Sequence, residues 1–223
     1  MAQVNQNPLR ESDRIEDELR RLILTLELEP GLAISEASLM KQYHWGRTPL
    51  REAFQRLAEQ SLLQIIPHHG VVVTPLNIFE FVEVMDAMGM VIGSAAELAC
   101  KHVTDAQLNN LDELIDQGAA ASGAGDFVRV AELDYEFHRE LADATGNRYL
   151  RDYLLHLHRI ATRFNLAAWK RDRNSALSLE EHRQLAALFR QKDAEQVKTA
   201  MREHIENART RLLGSLSPSE SYF

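Results

Sequence analysis

The spacing of apolar side chains divides the chain into a short mixed segment and a long helical one. Between residues 34 and 57, apolar residues recur every three or four positions, which predicts two amphipathic helices joined by a tight turn. The residues on the apolar faces are Ile34, Leu39, Met40, Leu50, Ala53, Phe54 and Leu57. Two apolar runs, residues 63–66 and 71–74, flank a turn and predict a β-hairpin. Helix, turn, helix and ribbon in this order are typical of a winged helix-turn-helix that binds duplex DNA.

Beyond Pro75 the pattern predicts helices and no strands. The predicted helices cover about residues 77–102, 104–121, 127–144, 148–171, 179–191 and 193–216. The loops between them are short, which favours antiparallel neighbours. The predicted fold is therefore mainly α: a winged helix-turn-helix domain at residues 1–75, followed by an antiparallel all-α bundle of about six helices at residues 76–223.

Net charge by itself does not indicate DNA binding. The whole chain carries −8, and residues 1–75 contain eight Lys/Arg against ten Asp/Glu. The second predicted helix differs, because Arg47, Arg51 and Arg56 oppose only Glu52 there. This local excess lies on the element that would enter a DNA groove. An ordinary solvated helix face is the alternative, and the order of turn, Pro and wing disfavours it.

Each candidate DNA-binding residue has a distinct expected role. Arg51 can donate two parallel hydrogen bonds to a guanine, and Arg47 can reach a base edge or the backbone. Thr48 and nearby amides, at a helix start that contains Pro49, are suited to a phosphate. At the wing tip, His69 and Gly70 can approach a minor groove.

Several spaced motifs in residues 10–75 resemble the N-terminal domain of GntR-superfamily bacterial regulators. They are Leu28-Glu29-Pro30-Gly31, Ile34-Ser35-Glu36, Arg47-Thr48-Pro49-Leu50-Arg51-Glu52-Ala53 and Leu57-Ala58-Glu59-Gln60-Ser61-Leu62-Leu63. The chain departs from the family at Ser61, where Gly is usual, and at Trp45-Gly46, where an aliphatic-Ser pair is commoner. The resemblance implies that Arg47 and Arg51 contact DNA, and that the chain is a dimeric regulator of a palindromic operator.

The remaining composition indicates a cytoplasmic protein without membrane association. The only cysteine, Cys100, lies in an apolar helical pattern, so we expect a buried structural thiol and no internal disulfide. The first eight residues lack the pattern of a signal peptide. The longest largely apolar run, residues 88–100, is too short to span a bilayer.

Four residues of the predicted bundle have the chemistry of a metal site. Asp134 and His138 are four residues apart, which places both on one helix face. His182 and His204 lie among apolar neighbours on two later helices. Three imidazoles and one carboxylate suit one divalent transition metal per chain, zinc or nickel, with open positions for a ligand. Spacing alone leaves open that each His is an ordinary core or surface residue.

The segment from Phe127 to Asn147 is similar to the FadR-type C-terminal (FCD) domain. The motifs that carry the similarity are Asp134-Tyr135-Glu136-Phe137-His138, Thr145-Gly146-Asn147, Glu181-His182-Arg183 and Met201-Arg202-Glu203-His204. The resemblance implies that Asp134, His138, His182 and His204 bind one metal beside an effector pocket. The other histidines are interpreted structurally: His156 and His158 are two apart and cannot share a face, and His102 is a polar cap near a helix end.

The expected effector is a carboxylic acid, but its anchor departs from the family. Met85 and Gly89 stand where an Arg and a Glu are common in acid-binding members. Arg159 and Arg163 on the fourth bundle helix are the substitute cations that the sequence offers. Alternatively, Met85 and its neighbouring methionines favour a more apolar acid, or they are plain core.

Two other functions have to be weighed against a metabolite-responsive repressor. A metal centre with open positions can activate water, which would make the chain a metal-dependent enzyme. No Ser-His or Cys-His pair, Gly-rich phosphate loop or paired Glu-x-x-His motif is found to support that reading, so we expect no enzyme. A regulator with a purely structural metal is the third possibility. Relief of repression by the ligand is the expected direction, although no residue fixes it.

Overall fold

The computed structural model describes residues 10–67 and 70–215, which belong to two compact units, residues 1–75 and 76–223. Most of the described residues are helical, so the expected mainly-α class is confirmed. None of the described helices is both long and apolar enough to cross a membrane.

The first unit contains three helices and a three-stranded antiparallel sheet among its described residues. The elements are α1 Glu11–Leu24, β1 Ala33–Ile34, α2 Glu36–Tyr43, α3 Arg47–Glu59, β2 Leu63–Ile66 and β3 Gly70–Val73. The strand order is β1-β3-β2, and Leu63 of β2 pairs with Val73 of β3. Helix α3 packs against α1, α2 and β2. These contacts leave one long face of α3 exposed to solvent.

The strand β1 corrects one feature of the sequence prediction. Ile34 does not belong to the apolar face of the first helix of the helix-turn-helix; it pairs with Val71 of β3. The helix begins only at Glu36, because the Ser35 hydroxyl caps it by accepting a hydrogen bond from the Ser38 amide at 3.2 Å. The predicted hairpin is present as the antiparallel pair β2 and β3, and β1 adds a third strand to it.

The structure shows a local consequence of each departure from the family pattern. Trp45 stacks on Tyr43 with ring centroids 4.5 Å apart, so the aromatic side chain packs the turn between α2 and α3. Ser61 has a φ of 60°, in the left-handed region that Gly adopts without steric cost. The Ser at this position therefore carries backbone strain that the usual Gly avoids.

The second unit is a bundle of six helices within its described residues, in agreement with the predicted number. The helices are α4 Ile78–His102, α5 Asp105–Gly123, α6 Phe127–Ala144, α7 Arg148–Asp172, α8 Ala176–Gln191 and α9 Ala194–Ser215. Helix α4 packs against α6, α7 and α9, and α5 packs against α6 and α8. Cys100 is buried in this core, as predicted.

Local signals fix the helix that carries the first two candidate ligands. The Asp126 side chain caps α6 by accepting a hydrogen bond from the Arg129 amide at 3.0 Å. After the helix, Gly146 takes a φ of 66°, which stops further helical winding. Between these signals Asp134, Phe137 and His138 all face the interior. The sequence thus specifies both the extent of α6 and its buried face.

Candidate functional site

The four candidate ligands come together inside the second unit. Asp134 and His138 lie one turn apart on α6, while His182 comes from α8 and His204 from α9. All four side chains are buried. One ring nitrogen from each of the three histidines lies within 4.8 Å of the others, and Oδ1 of Asp134 lies 3.7 Å from Nε2 of His182. The fold therefore assembles the set that the resemblance implied.

Packing against neighbouring rings orients two of these imidazoles. His182 stacks on Phe137, with centroids 4.1 Å apart and planes 14° from parallel. The ring of His138 meets that of His182 nearly edge-on, at 5.1 Å and 84°. The interdigitated rings leave little room for rotamer change, so the donor atoms are held close together before any ligand binds.

The electrostatics of the cluster suit a cation. Burial raises the pKa of Asp134 to about 7, although the charge of Arg211 opposes the shift. Burial, together with the charges of neighbouring histidines, lowers the pKa of His138 and His182 well below the usual value. These two imidazoles are therefore neutral near pH 7 and offer lone pairs, the form in which His binds metals.

One atom of the cluster supports the fit of a metal ion. Nε2 of His182 is buried and has no hydrogen-bond partner. A buried polar atom without a partner costs about 1–3 kcal/mol, so such atoms are rare in native structures. A metal ion held by His138, His182, His204 and Asp134 would satisfy this nitrogen. The donor set accordingly fits a divalent transition metal.

A hydrogen-bonded group of residues contacts His204 on the side of Nδ1, and the sequence prediction missed it. Nδ1 of His204 lies 2.7 Å from Oε2 of Glu181, which also accepts a hydrogen bond from Arg211 at 2.9 Å. Oε1 of Glu181 accepts hydrogen bonds from Arg211 at 2.6 Å and from Asn207 at 3.1 Å. The sequence offered only one sign of this contact: an acid, Glu181, stands directly before the candidate ligand His182.

His158 is also part of this region, which the sequence interpretation did not anticipate. Its buried ring stacks on His138 with centroids 4.0 Å apart, and burial lowers its pKa to about 3. The argument that His156 and His158 cannot share a face was correct but overlooked that one of the two can face inward. Leu154 and Ala161, four residues before and three after, marked that buried face.

A cavity of about 430 Å³ opens beside the cluster. Asp134, His138, His158 and His204 line one part of it. Apolar side chains line another part: Met85, Met88, Ala161, Ala168, Trp169, Leu177, Ile205, Ala208 and Leu212. The volume is in the range of small-molecule sites, which combine apolar walls with a few polar groups. Met85 therefore lines the predicted pocket as well as belonging to the core.

The two arginines offered by the sequence as substitute cations do not line this cavity. Arg159 donates a hydrogen bond to the Tyr135 hydroxyl at 3.3 Å. Arg163 is buried in α7, where burial lowers its pKa to about 10. The arginines that do line the cavity are Arg171 and Arg211. Helical spacing alone could not show which arginines line the cavity, because this depends on which helix faces pack inward.

The exposed face of α3 forms the candidate nucleic-acid interface of the first unit. Arg47, Thr48 and Arg51 are all exposed, and so is Gln55 one further turn along. Gly46 precedes the helix without capping it by a side chain. The free amides at this helix start can therefore meet an anion. Gln55 was missed by the sequence prediction, although its spacing of four from Arg51 places it on the same face.

Arg51 and Arg56 of α3 have different partners within the first unit. Arg51 donates hydrogen bonds to both carboxylate oxygens of Glu36 in α2, at 2.5 and 3.0 Å, on the exposed surface. Arg56 points the other way and contacts Asp13 and Glu16 of α1 at 2.6 and 3.1 Å. Because its guanidinium is engaged within the domain, we expect Arg56 to stabilise the packing of α3 on α1, and its predicted contact with DNA stays a prediction.

At the wing, Gly70 is exposed and begins β3 with a φ of 94°. An added Cβ there would meet nothing within 4 Å, so the conformation of the backbone, more than crowding, favours Gly at this position. His69, the other predicted wing residue, lies outside the described residues.

Comparison with known families matches both units. The family of bacterial regulatory proteins called gntR matches residues 4–73, and the FCD domain matches residues 83–207. The gntR description names regulatory proteins, in agreement with the expectation that the chain is a regulator and not an enzyme.

Individual relatives support the same assignment. The chain is 27% identical to the Nta operon transcriptional regulator of Aminobacter aminovorans, covering 83% of this chain and 86% of that one. It is 24% identical to the transcriptional repressor RspR of Escherichia coli, over 84% and 82%. A crystal structure of a GntR regulator from Rhodococcus shares the fold, with a TM-score of 0.78, 20% identity and coverage of 91% and 97%. The chain therefore belongs to the GntR family of bacterial transcriptional regulators and carries an FCD effector-binding domain.

Proposed function

We propose that the chain is a metabolite-responsive repressor that binds a palindromic operator as a homodimer. Helix α3 lies in the major groove, where Arg51 reads a guanine and Arg47 and Thr48 contact the backbone. Two copies are needed because each winged helix reads one half-site. The name of RspR, a repressor, supports the direction of regulation.

The contrast between Arg51 and Arg56 provides the experiment for the DNA-binding half. Duplexes selected by the wild-type protein from a random pool serve as the probe. We expect Arg51→Ala to weaken binding about 5- to 150-fold and to relax selection at one base pair. Arg56→Ala is the matched control and should retain both affinity and selectivity. Equal effects of the two substitutions would refute the assignment of α3.

In the second unit we propose that Asp134, His138, His182 and His204 hold one zinc or nickel ion. When bound, such an ion supplies a Lewis-acidic centre that holds the oxygens of a small acid. The observation that carries this proposal is the buried donor cluster with its orphaned nitrogen, next to a cavity of about 430 Å³. A purely structural metal would require no cavity beside it.

The charges around the cavity favour a monoacid with an apolar body. Arg171 donates hydrogen bonds to Asp172 and Ser215, and Arg211 is held by Glu181. Both cations among the described lining residues are therefore already engaged. A second carboxylate on the ligand would lack an unengaged cation, whereas an apolar body can contact Met85 and Trp169.

Release of DNA tests this part of the function. Carboxylic acids are added to the zinc-loaded protein bound to a fluorescent selected duplex, and anisotropy is followed. We expect apolar monoacids to release the duplex and the matching diacids to be weaker. Release that persists in zinc-free protein would contradict a metal-assisted effector site.

A further inference from the structure

A partly buried carboxylate next to the candidate metal centre has no role in the function described so far. Glu181 is not one of the four candidate ligands, yet its side chain is 18% exposed and receives four hydrogen bonds. Three of these come from Arg211 and Asn207, which fix both carboxylate oxygens. The fourth partner is the ring of His204. Because its carboxylate is held in place in this way, Glu181 restricts the orientation of the His204 ring.

The hydrogen bonds around Glu181 determine the tautomer of His204. Both oxygens of the carboxylate accept hydrogen bonds from the Arg211 guanidinium, at 2.6 and 2.9 Å, which is the pairing of an ionised carboxylate with a cation. An ionised carboxylate can only accept hydrogen bonds. Nδ1 of His204 must therefore carry the proton in the 2.7 Å contact, which leaves Nε2 as the atom with a lone pair.

We infer that Glu181 is a positioning residue for the metal centre, holding His204 in the tautomer and ring orientation that present Nε2 to the ion. This inference rests on the proposed metal site. Arg211 and Asn207 act through Glu181 by fixing its carboxylate. Outer partners of this kind typically contribute a factor of 10–100 in metal affinity.

Glu180 provides a matched control, because it is the same residue type one position earlier on α8. Its side chain is 59% exposed, and its closest charged contact is Arg183 at 3.9 Å. Zinc affinity is measured by competition with a chromophoric chelator for wild type, Glu181→Ala, Glu181→Gln and Glu180→Ala. We expect Glu181→Ala to weaken zinc binding about 10- to 100-fold, Glu181→Gln about tenfold, and Glu180→Ala not at all.

A second readout separates positioning from general loss of structure. Long-range ¹⁵N NMR of metal-free protein should show His204 protonated at Nδ1 in wild type and in Glu180→Ala, and as a tautomer mixture in Glu181→Ala. Arg211→Met removes the ion pair but retains the acceptor, so it should preserve the wild-type tautomer. If Glu181→Ala does not fold, the nearly isosteric Glu181→Gln decides the question.

The outcomes distinguish this inference from the proposed function. Wild-type zinc affinity in a folded Glu181→Ala or Glu181→Gln protein would overturn the positioning role while leaving the metal site intact. An equal loss of affinity in Arg211→Met and Glu181→Ala, with an unchanged tautomer, would assign the effect to the ion pair and would also overturn it. No zinc binding by wild type would refute the metal site and this inference with it.

Discussion

Replacement of His182 by Leu should stabilise the metal-free protein, whereas in excess zinc the wild-type protein should be the more stable of the two. In the metal-free state, the orphaned Nε2 of His182 costs about 1–3 kcal/mol, which an apolar side chain of similar volume removes. The lost stacking on Phe137 offsets about 0.5–1.5 kcal/mol of that gain. The two terms leave a net change between about −0.5 and +2.5 kcal/mol, so we expect a variant that is more stable by about 1 kcal/mol, or about 2–4 °C in melting temperature.

In zinc the wild-type protein should be more stable than the His182→Leu variant, because zinc stabilises a folded protein only through the site to which it binds. At a free zinc concentration about 100 times the Kd, the wild-type protein gains about 2.7 kcal/mol. The His182→Leu variant lacks one of the four ligands and should gain much less. Thermal unfolding of both proteins, in chelator and in excess zinc, measures the difference in melting temperature between wild type and variant under each condition. A variant that is less stable in chelator and equally stabilised by zinc would refute the reasoning.

Three further predictions concern the DNA-binding unit. Arg47→Ala should reduce the slope of log affinity against log salt concentration by about 0.9, because one phosphate contact is lost; an unchanged slope would exclude a backbone contact. Arg56→Ala should lower the melting temperature of the protein without changing its DNA affinity, since Arg56 joins α3 to α1; weaker DNA binding by a fully folded variant would return Arg56 to the interface. Ser61→Gly should raise the free energy of unfolding by about 0.5–1 kcal/mol, because relief of left-handed strain exceeds the entropic cost of Gly; chemical denaturation measures this, and a loss of stability would contradict it.

The features that the sequence predicted well depend on local signals. Helix α6 begins and ends at the predicted residues because the Asp126 cap and the Gly146 stop lie directly beside it. The pair Asp134 and His138 shares a face by helical geometry alone. The helical pattern of apolar residues in the second unit led to the correct number of bundle helices among the described residues.

The features that were missed depend on contacts between distant segments. Ile34 is a strand residue only because β3, nearly forty residues later, pairs with it. Arg51 and Arg56 look alike in the sequence, and only the packing of α1 on α3 separates their roles. In the same way, the inward position of His158 and the contact of Glu181 with His204 depend on how whole helices pack.

The metal content of the protein tests the central claim about the effector site most directly. Untagged protein, purified without chelator and incubated with zinc or nickel, is analysed by mass spectrometry beside His182→Ala and the control His156→Ala. We predict about one metal ion per protomer in wild type and in the control, and none in His182→Ala. Absence of metal from the wild-type protein after incubation would contradict the claim and reduce Asp134, His138, His182 and His204 to a buried polar cluster.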